Sequence, residues 1–406
     1  MRPEPRGGAA VAGAPATRRP ALRALPARPN GEEGEGEGPR VVASATRDTR
    51  RPLRVADVAL FYGERSGGIR TYLQAKASFA ARTGAMEEHL IVPGPREHHA
   101  GGRHELPSLR LATSNGYRIP LGAARLQATL RALEPDVVLL HDPFWAPLGL
   151  TRVAHELGAP VVAVHHTSVA LTAHGLPGPT RLYAPLLRAW FRAAYRPVDA
   201  IMSAVDPGAD AGRGAALGLR FGLHDAFRPR PALRRGDHIL YAGRLAPEKG
   251  IFALLEAAAR AQDPWPMRIV GAGPSGAAVW ARAQRLGLAS RVEILPHEAD
   301  PARLAAAYAT AACVVMPGEH ETFGLVALEA AASGGRVVAC ANAPSTVACD
   351  RLVHTFAPGD RAGMLAAIET ARRTPVDHMA AAAVAAAHGW PSAFAAELHE
   401  LESLVA

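Results

Sequence analysis

The stretch GEHETFGLVALEAAASGG, Gly318 to Gly335, carries two glutamates, Glu321 and Glu329, with seven residues between them in an otherwise apolar, alanine-rich segment. Ionised carboxylates accept strong hydrogen bonds and repel phosphate, so their natural partners are the hydroxyls of a sugar or a ribose. An apolar strand, CVVMP, runs into this stretch, and a helix is expected from about Leu325. The backbone N–H groups of Phe323, Gly324 and Leu325 at that helix start would offer a site for an anionic group. With Glu321 on the loop and Glu329 in the second turn, the two carboxylates stand roughly 10 Å apart, from the rise of ~1.5 Å per residue. That suits contacts to two ends of a sugar nucleotide. The competing reading is one solvated face of an amphipathic helix.

A second constellation is AGRLAPEKG, where Arg244 and Lys249 sit on a loop between a strand and a helix. Two cations beside a helix N-terminus suit a diphosphate and would neutralise the charge that grows on a nucleotide leaving group. An ordinary solvated loop is the alternative. Lysine is scarce, however. The chain has 45 Lys+Arg, and only Lys76 and Lys249 are lysines.

These residues need a scaffold. At 406 residues, with 49% hydrophobic and 20% charged residues, the chain is long enough for two domains with real cores. The net charge of +8 suits an anionic substrate or an anionic membrane surface. Three cysteines, Cys313, Cys340 and Cys349, form no C-x-x-C pair, which fits a reducing cytoplasm and argues against a disulfide or zinc framework. Residues 1–52, rich in Pro, Gly and Arg, have no apolar core of signal-peptide length and read as a disordered tail or an over-extended start. No run of 18 apolar residues occurs, so no membrane span is expected.

From residue 53 apolar strands alternate with helices, the pattern of a parallel α/β sheet. PLRVADVALFYGERSGGIRTYL reads as strand, glycine-rich loop and helix; EPDVVLLHDP and GAPVVAVHHTS are buried strands. Ligands in such sheets bind beyond the carboxyl ends of the strands, where His141, Asp142, His165 and His166 fall. A Pro/Arg-rich break at Arg220–Asp237 precedes a second run of strands and helices. The expected division is an N-terminal domain over 53–222, a C-terminal domain over 223–375 and closing helices over 376–406.

The segment EHETFGLVALEAAASGGRVVA resembles the E-x7-E signature of retaining glycosyltransferases of the sucrose-synthase and mannosyltransferase-like family. YAGRLAPEKG, RIVGAGP and SGGIRTYL match further signatures in the same order. GLHDAFRP resembles the hinge and GWPSAFAAELHELES the closing helix. The resemblance covers about residues 53–406. It implies a GT-B fold, two doubly wound Rossmann-like parallel-sheet domains facing a cleft, with a C-terminal helix closing back. It implies that Arg244 and Lys249 hold the diphosphate, Glu329 the ribose and Glu321 the transferred sugar. Gly67 and Gly68 would approach the donor through their backbone, and Gly271 would lie near the bound nucleotide. AVHHTS is similar to the F-H-T-S stretch of phosphatidylinositol mannosyltransferases, which places their active-site histidine on His166.

This chain also departs from the pattern. Arg336 stands where the family commonly has proline, and CANAPSTVACDRLVHTF replaces a glycine pair and a glutamate, which puts the sugar end of the donor pocket in question. RIVGAGPSG also contains G-x-G-x-x-G, a flavin or nicotinamide fingerprint, but Glu293, at the required distance, begins its strand rather than ending it. No D-x-D pair occurs, so neither a metal nor another cofactor is expected. EHHAGGRH, Glu97–His104, reads as a histidine-rich surface loop. Arg181, Arg188, Arg192 and Arg196 share one helix face, which suits either packing on the sheet or contact with an anionic membrane.

The expected activity is transfer of a hexose with retention, from GDP-mannose or UDP-glucose, to a hydroxyl of a glycan, lipid or small molecule. The protein would be cytoplasmic, at the inner face of the membrane where it meets one, with no nucleic-acid partner. Two other classes remain open: a non-catalytic sugar-nucleotide-binding protein and a same-fold epimerase.

Overall fold

The computed structural model describes residues 51–60, 62, 68–110, 118–142, 147–166, 180–204, 214–321 and 323–406, which belong to one compact unit. The expected tail lies outside them except for Arg51 and Pro52. Arg51 is tied down, its guanidinium pairing with Asp136 at 2.6 Å.

The first half is built on β1 (Leu53–Val58), β2 (Met86–Gly94), β3 (His98–Ala100), β4 (Arg103–Arg110), β5 (Arg118–Pro120), β6 (Val137–Leu140), β7 (Val161–His165), β8 (Ala200–Ser203) and β9 (Ala215–Gly218). The strand order is β3-β4-β2-β1-β6-β7-β8-β9, with β5 on β4. β3 and β5 pair antiparallel to β4, and the other pairings are parallel. Helices α1 (Gly68–Thr83), α2 (Ala124–Leu133), α3 (Pro147–Glu156) and α4 (Thr180–Tyr195) belong to this half. The core strands VVLL and VVAVH are buried at every position because helices cover both faces of the sheet.

The second half carries β10 (Ile239–Ala242), α5 (Ile251–Arg260), β11 (Met267–Val270), α6 (Gly276–Arg285), β12 (Val292–Leu295), α7 (Pro301–Thr310) and β13 (Cys313–Met316). It continues with α8 (Leu325–Ala332), β14 (Val337–Cys340), α9 (Ser345–Cys349), β15 (Val353–Phe356), α10 (Arg361–Arg373) and α11 (His378–Ala387). Its six strands run in the order β12-β11-β10-β13-β14-β15, all parallel. Cys313, Cys340 and Cys349 are free and buried.

The last helix, α12 (Trp390–Val405), returns to the first half. Trp390 and Phe394 stack at 5.2 Å, and both pack in the core beneath β1, β6 and β7 together with Tyr72 and Phe79 of α1. A Cβ on Gly222 would lie 2.3 Å from the Trp390 ring, so the chain can pass that ring only as glycine. The Glu97–His104 stretch is a hairpin, not a loop. β3 and β4 pair across Gly101 and Gly102, both at positive φ, and His99 and His104 meet at 2.9 Å. Among the described residues, no group of three or more metal-ligating side chains could hold an ion, and no helix is long and apolar enough to cross a membrane.

Candidate active site

The loop after β10 is shaped by glycine. Gly250 adopts φ +71, and a Cβ there would lie 2.5 Å from the Pro317 carbonyl oxygen. That close approach presses the Pro247–Lys249 turn against the chain leaving β13. Lys249 Nζ consequently sits 2.7 Å from Glu321 Oε2, with Glu321 only 10% exposed. Arg244, more exposed, pairs with Glu248 at 2.7 Å, and its carbonyl accepts a hydrogen bond from the Tyr241 hydroxyl. The loop after β11 backs this turn. A Cβ on Gly271 would fall 1.9 Å from the Gly243 oxygen, and one on Gly273 2.3 Å from the Leu245 oxygen. Here the glycines of GAGPSG let two backbones touch.

α8 begins at Leu325 after Gly324, which holds φ +90 and has the Met316 thioether and the Ser345 hydroxyl where a Cβ would stand. The N–H groups of its first turn lack the carbonyl acceptors that later turns have, and that of Ala327 donates to the Gly324 carbonyl. Ser345, in the stretch that replaces the family's usual residues, donates its backbone N–H to the Phe323 carbonyl at 2.8 Å. Glu329 lies on α8, half-buried, and accepts a 3.0 Å hydrogen bond from the Tyr308 hydroxyl. Burial pushes its carboxyl up to about 7, although the Tyr308 bond pulls the other way.

The first half reaches this point at two places. Gly68 opens α1 so close to α8 that a Cβ would touch the Leu325 side chain at 3.4 Å. The Phe221 ring lies 4.9 Å from Phe323 and 6.4 Å from His166. His166, Phe221 and Phe323 thus form an aromatic line from the ends of the first sheet to the start of α8. Gly67 lies outside the described residues.

His166 follows β7, and strand alternation sets its direction. Val162 and Val164 face α1 and α12, and His166 continues on that side. His165 points the other way, towards Phe191 and Tyr195 of α4. On the His166 side stands His141, its Nδ1 2.7 Å from His166 Nε2 and its Nε2 2.7 Å from Asp57 Oδ1. Asp57 is also paired with Lys76, at 2.9 Å, and Lys76 with Glu397 of α12, at 2.8 Å; all three are buried. Tyr72 donates to the same glutamate.

The two halves match separate family models: residues 226–350 that of glycosyl transferases group 1, and residues 66–204 that of glycosyltransferase family 4. A GDP-mannose-dependent alpha-mannosyltransferase of Mycolicibacterium smegmatis is 30% identical over 308 residues, spanning 71% of this chain and 79% of the relative. A GDP-mannose-dependent alpha-(1-6)-phosphatidylinositol dimannoside mannosyltransferase of Mycobacterium tuberculosis is also 30% identical, over 70% of this chain and 78% of its own. The chain belongs to the group 1, family 4 glycosyltransferases.

This glycosyltransferase has the GT-B fold. The structure of a sucrose-phosphate synthase from Thermosynechococcus elongatus superposes with a TM-score of 0.69 at 18% identity, covering 87% of this chain and 99% of the synthase. Anabaena HepE, solved in complex with UDP and glucose, superposes with a TM-score of 0.65 at 16% identity, with the same coverage.

Arg336 lies away from Lys249 and Glu321. It precedes β14, at the opposite end of the strands from Glu321, and donates to the Arg372 carbonyl at 2.5 Å at the end of α10. Arg235 likewise bonds the carbonyls of Ala311 and Gly334, just beyond α7 and α8. These arginines satisfy helix C-terminal carbonyls, so the 210 Å³ cavity they line with Arg230 and His378 has a structural origin. The sequence reading missed Asp57 and Lys76. A carboxylate inside LRVADV and one of only two lysines in the chain were the available signals.

Proposed function

We propose that this glycosyltransferase moves a hexose, with retention and without a metal ion, from a nucleoside diphosphate sugar to the hydroxyl of a glycan, lipid or small molecule. The observation that carries the reading is the Lys249–Glu321 ion pair between the loops that leave the carboxyl ends of β10 and β13, with Arg244 on the first of these loops and α8 beginning just after the second. A diphosphate entering there would draw Lys249 from Glu321 and leave that carboxylate to accept from sugar hydroxyls. Preorganised cations beside a departing diphosphate stabilise the charge that develops as the glycosidic bond breaks. The acceptor hydroxyl attacks from the same face as the leaving group, and the departing phosphate oxygen helps take its proton. His166, at the end of β7, would contact the transferred sugar. Glu329, further along α8, accepts from the ribose.

GDP-mannose is the first donor to test, since the two mycobacterial relatives described above are named for it, and UDP-glucose is the second. A lipid acceptor draws support from α4, where Leu186 and Trp190 are 71% and 45% exposed while Phe191 and Tyr195 anchor the helix on the sheet. That surface could rest on an anionic membrane at the cytoplasmic side.

Calorimetry with UDP, GDP, ADP and their sugar conjugates tests the donor assignment, and transfer assays with and without EDTA test metal independence. One selectively bound nucleotide and EDTA-resistant turnover are expected. Binding of none by the folded chain would overturn the donor assignment, and EDTA-sensitive turnover would overturn metal independence.

A further inference from the structure

We propose that Asp57 and His141 are positioning residues that fix the tautomer of His166, and so decide which nitrogen of its ring is offered to the substrate as an acceptor. The proposal deepens the role given above to His166 and rests on it.

The three side chains come from three adjacent strands. Asp57 belongs to β1, and His141 and His166 follow β6 and β7 directly. All continue the buried face made by Val55, Leu139 and Val164, so strand alternation aims them at one another. The contacts run Asp57 Oδ1 to His141 Nε2 at 2.7 Å, then His141 Nδ1 to His166 Nε2 at 2.7 Å, with the two ring planes within 16° of parallel and their centroids 5.0 Å apart.

The charged and titratable groups around the relay come from every neighbouring element: Tyr72 and Lys76 on α1, Glu88 on β2, His165 on β7 and Glu397 on α12. Burial on its own would raise the Asp57 carboxyl. The Lys76 ammonium and then His141 outweigh it and hold Asp57 below its usual range, hence ionised. Burial, together with His141 and His165, holds His166 well below its ordinary value, hence neutral.

The proton positions follow from which groups can donate. An ionised carboxylate only accepts, so His141 carries a proton on Nε2. With His141 in its neutral form, Nδ1 is bare and accepts from His166 Nε2–H, whereas an imidazolium would donate there and leave His166 in the Nδ1–H form. A neutral His166 with its proton on Nε2 has a bare Nδ1, which can accept from a sugar hydroxyl. Replacing Asp57 by asparagine reverses this chain. Lys76 can only donate and keeps the amide oxygen, so the amide NH2 faces His141. His141 must then accept at Nε2 and donate from Nδ1, and His166 is driven to the Nδ1–H form with no acceptor to offer.

The test is 15N NMR of the imidazole nitrogens in the full chain, assigned with His166→Gln and His141→Gln. Wild-type His166 is expected in the Nε2–H form alone, and Asp57→Asn in the Nδ1–H form. With that change kcat should fall by about tenfold to a hundredfold, while the donor KM stays within about threefold. Glu397→Gln touches the same cluster through Lys76 and Tyr72 but not His141. It should lower Tm and leave the tautomer unchanged, which a purely structural role for Asp57 would not separate. Should Asp57→Asn fail to fold, His141→Phe keeps a ring and leaves Asp57 on Lys76, and both tautomers of His166 should appear. A tautomer mixture in the wild type, or an unchanged tautomer in the variant that folds, overturns the proposal. Full turnover in His166→Ala would instead overturn the catalytic reading while leaving the NMR result standing.

Discussion

Lys249 and Glu321 neutralise each other across the gap between the β10 and β13 loops, Nζ to Oε2 at 2.7 Å. The cation assigned to the diphosphate and the carboxylate assigned to the sugar are therefore partners before any donor arrives. Binding must exchange this contact for two others, which makes the pair testable from both sides.

Lys249→Ala should lower kcat by about 10² to 10³, the cost of removing one group that stabilises developing charge. Its melting temperature should stay close to wild type, because Lys249 lies on a partly exposed turn. Wild-type turnover would remove Lys249 from the diphosphate site. Glu321→Gln frees Lys249 from its competitor. Nucleoside diphosphate affinity should then rise by a factor of about 2 to 5, the scale of a partly exposed ion pair, even as turnover falls. Calorimetric titration of both variants separates the two effects.

In the proposed donor site, Glu329 should impose a pH dependence on binding. Its carboxyl is pushed up to about 7 by burial, and the ionised form is the stronger acceptor for ribose hydroxyls. Binding that prefers the ionised form releases a proton, so nucleotide affinity should increase as pH rises from 6 to 8. Glu329→Gln should bind more weakly and without that slope. Affinity that is flat with pH in the wild type, or unchanged in the variant, would remove the ribose role.

The apolar runs VVLL and VVAVH and the restart of strands after the Pro/Arg-rich break made both parallel sheets readable, since a strand covered on both faces must be apolar throughout. The spacing of Glu321 and Glu329 likewise placed the first on the loop after β13 and the second on α8. Contacts between distant residues were not readable. Nothing local in LRVADV says that Asp57 will meet Lys76, Glu397 and His141, because those meetings depend on how β1, β6, α1 and α12 pack. Arg336 misled for the same reason. Its position in a motif suggested the donor pocket, but the parallel strand direction puts it at the far end of β14, capping α10.

Stability should carry the signature of Glu88. Burial first, and then the Asp57 charge, raise its carboxyl to about 8. A carboxyl with a folded-state value above its unfolded value of about 4.5 binds more protons folded than unfolded, so its share of stability is lost as pH rises. The loss begins above about pH 4.5 and is complete once pH passes about 8. Thermal melts between pH 5 and 8 should show the wild-type Tm falling relative to that of Glu88→Gln across that window. A difference between the two that does not change with pH would contradict the assignment.

Gly250→Ala tests whether the turn itself, and not only its charges, makes the site. Alanine at φ +71 is strained by about 1 to 3 kcal/mol, and its Cβ would stand 2.5 Å from the Pro317 oxygen, a backbone atom that cannot swing aside. Relief requires the Pro247–Lys249 turn to move away from the β13 loop, which carries Lys249 off Glu321 and away from the α8 N-terminus. A 1 Å misplacement of such a group can cost about a hundredfold in rate. The variant should therefore lose both thermal stability and turnover, with nucleoside diphosphate affinity falling alongside. Gly84→Ala supplies the control. Its φ of +63 imposes the same kind of strain, but nothing lies within 4 Å of the added Cβ, and it follows the end of α1 opposite Gly68. Lower stability with normal turnover in Gly84→Ala, against loss of both in Gly250→Ala, would show that the fit of the turn against Pro317 sets the position of Lys249. Equal turnover in the two variants would show that it does not.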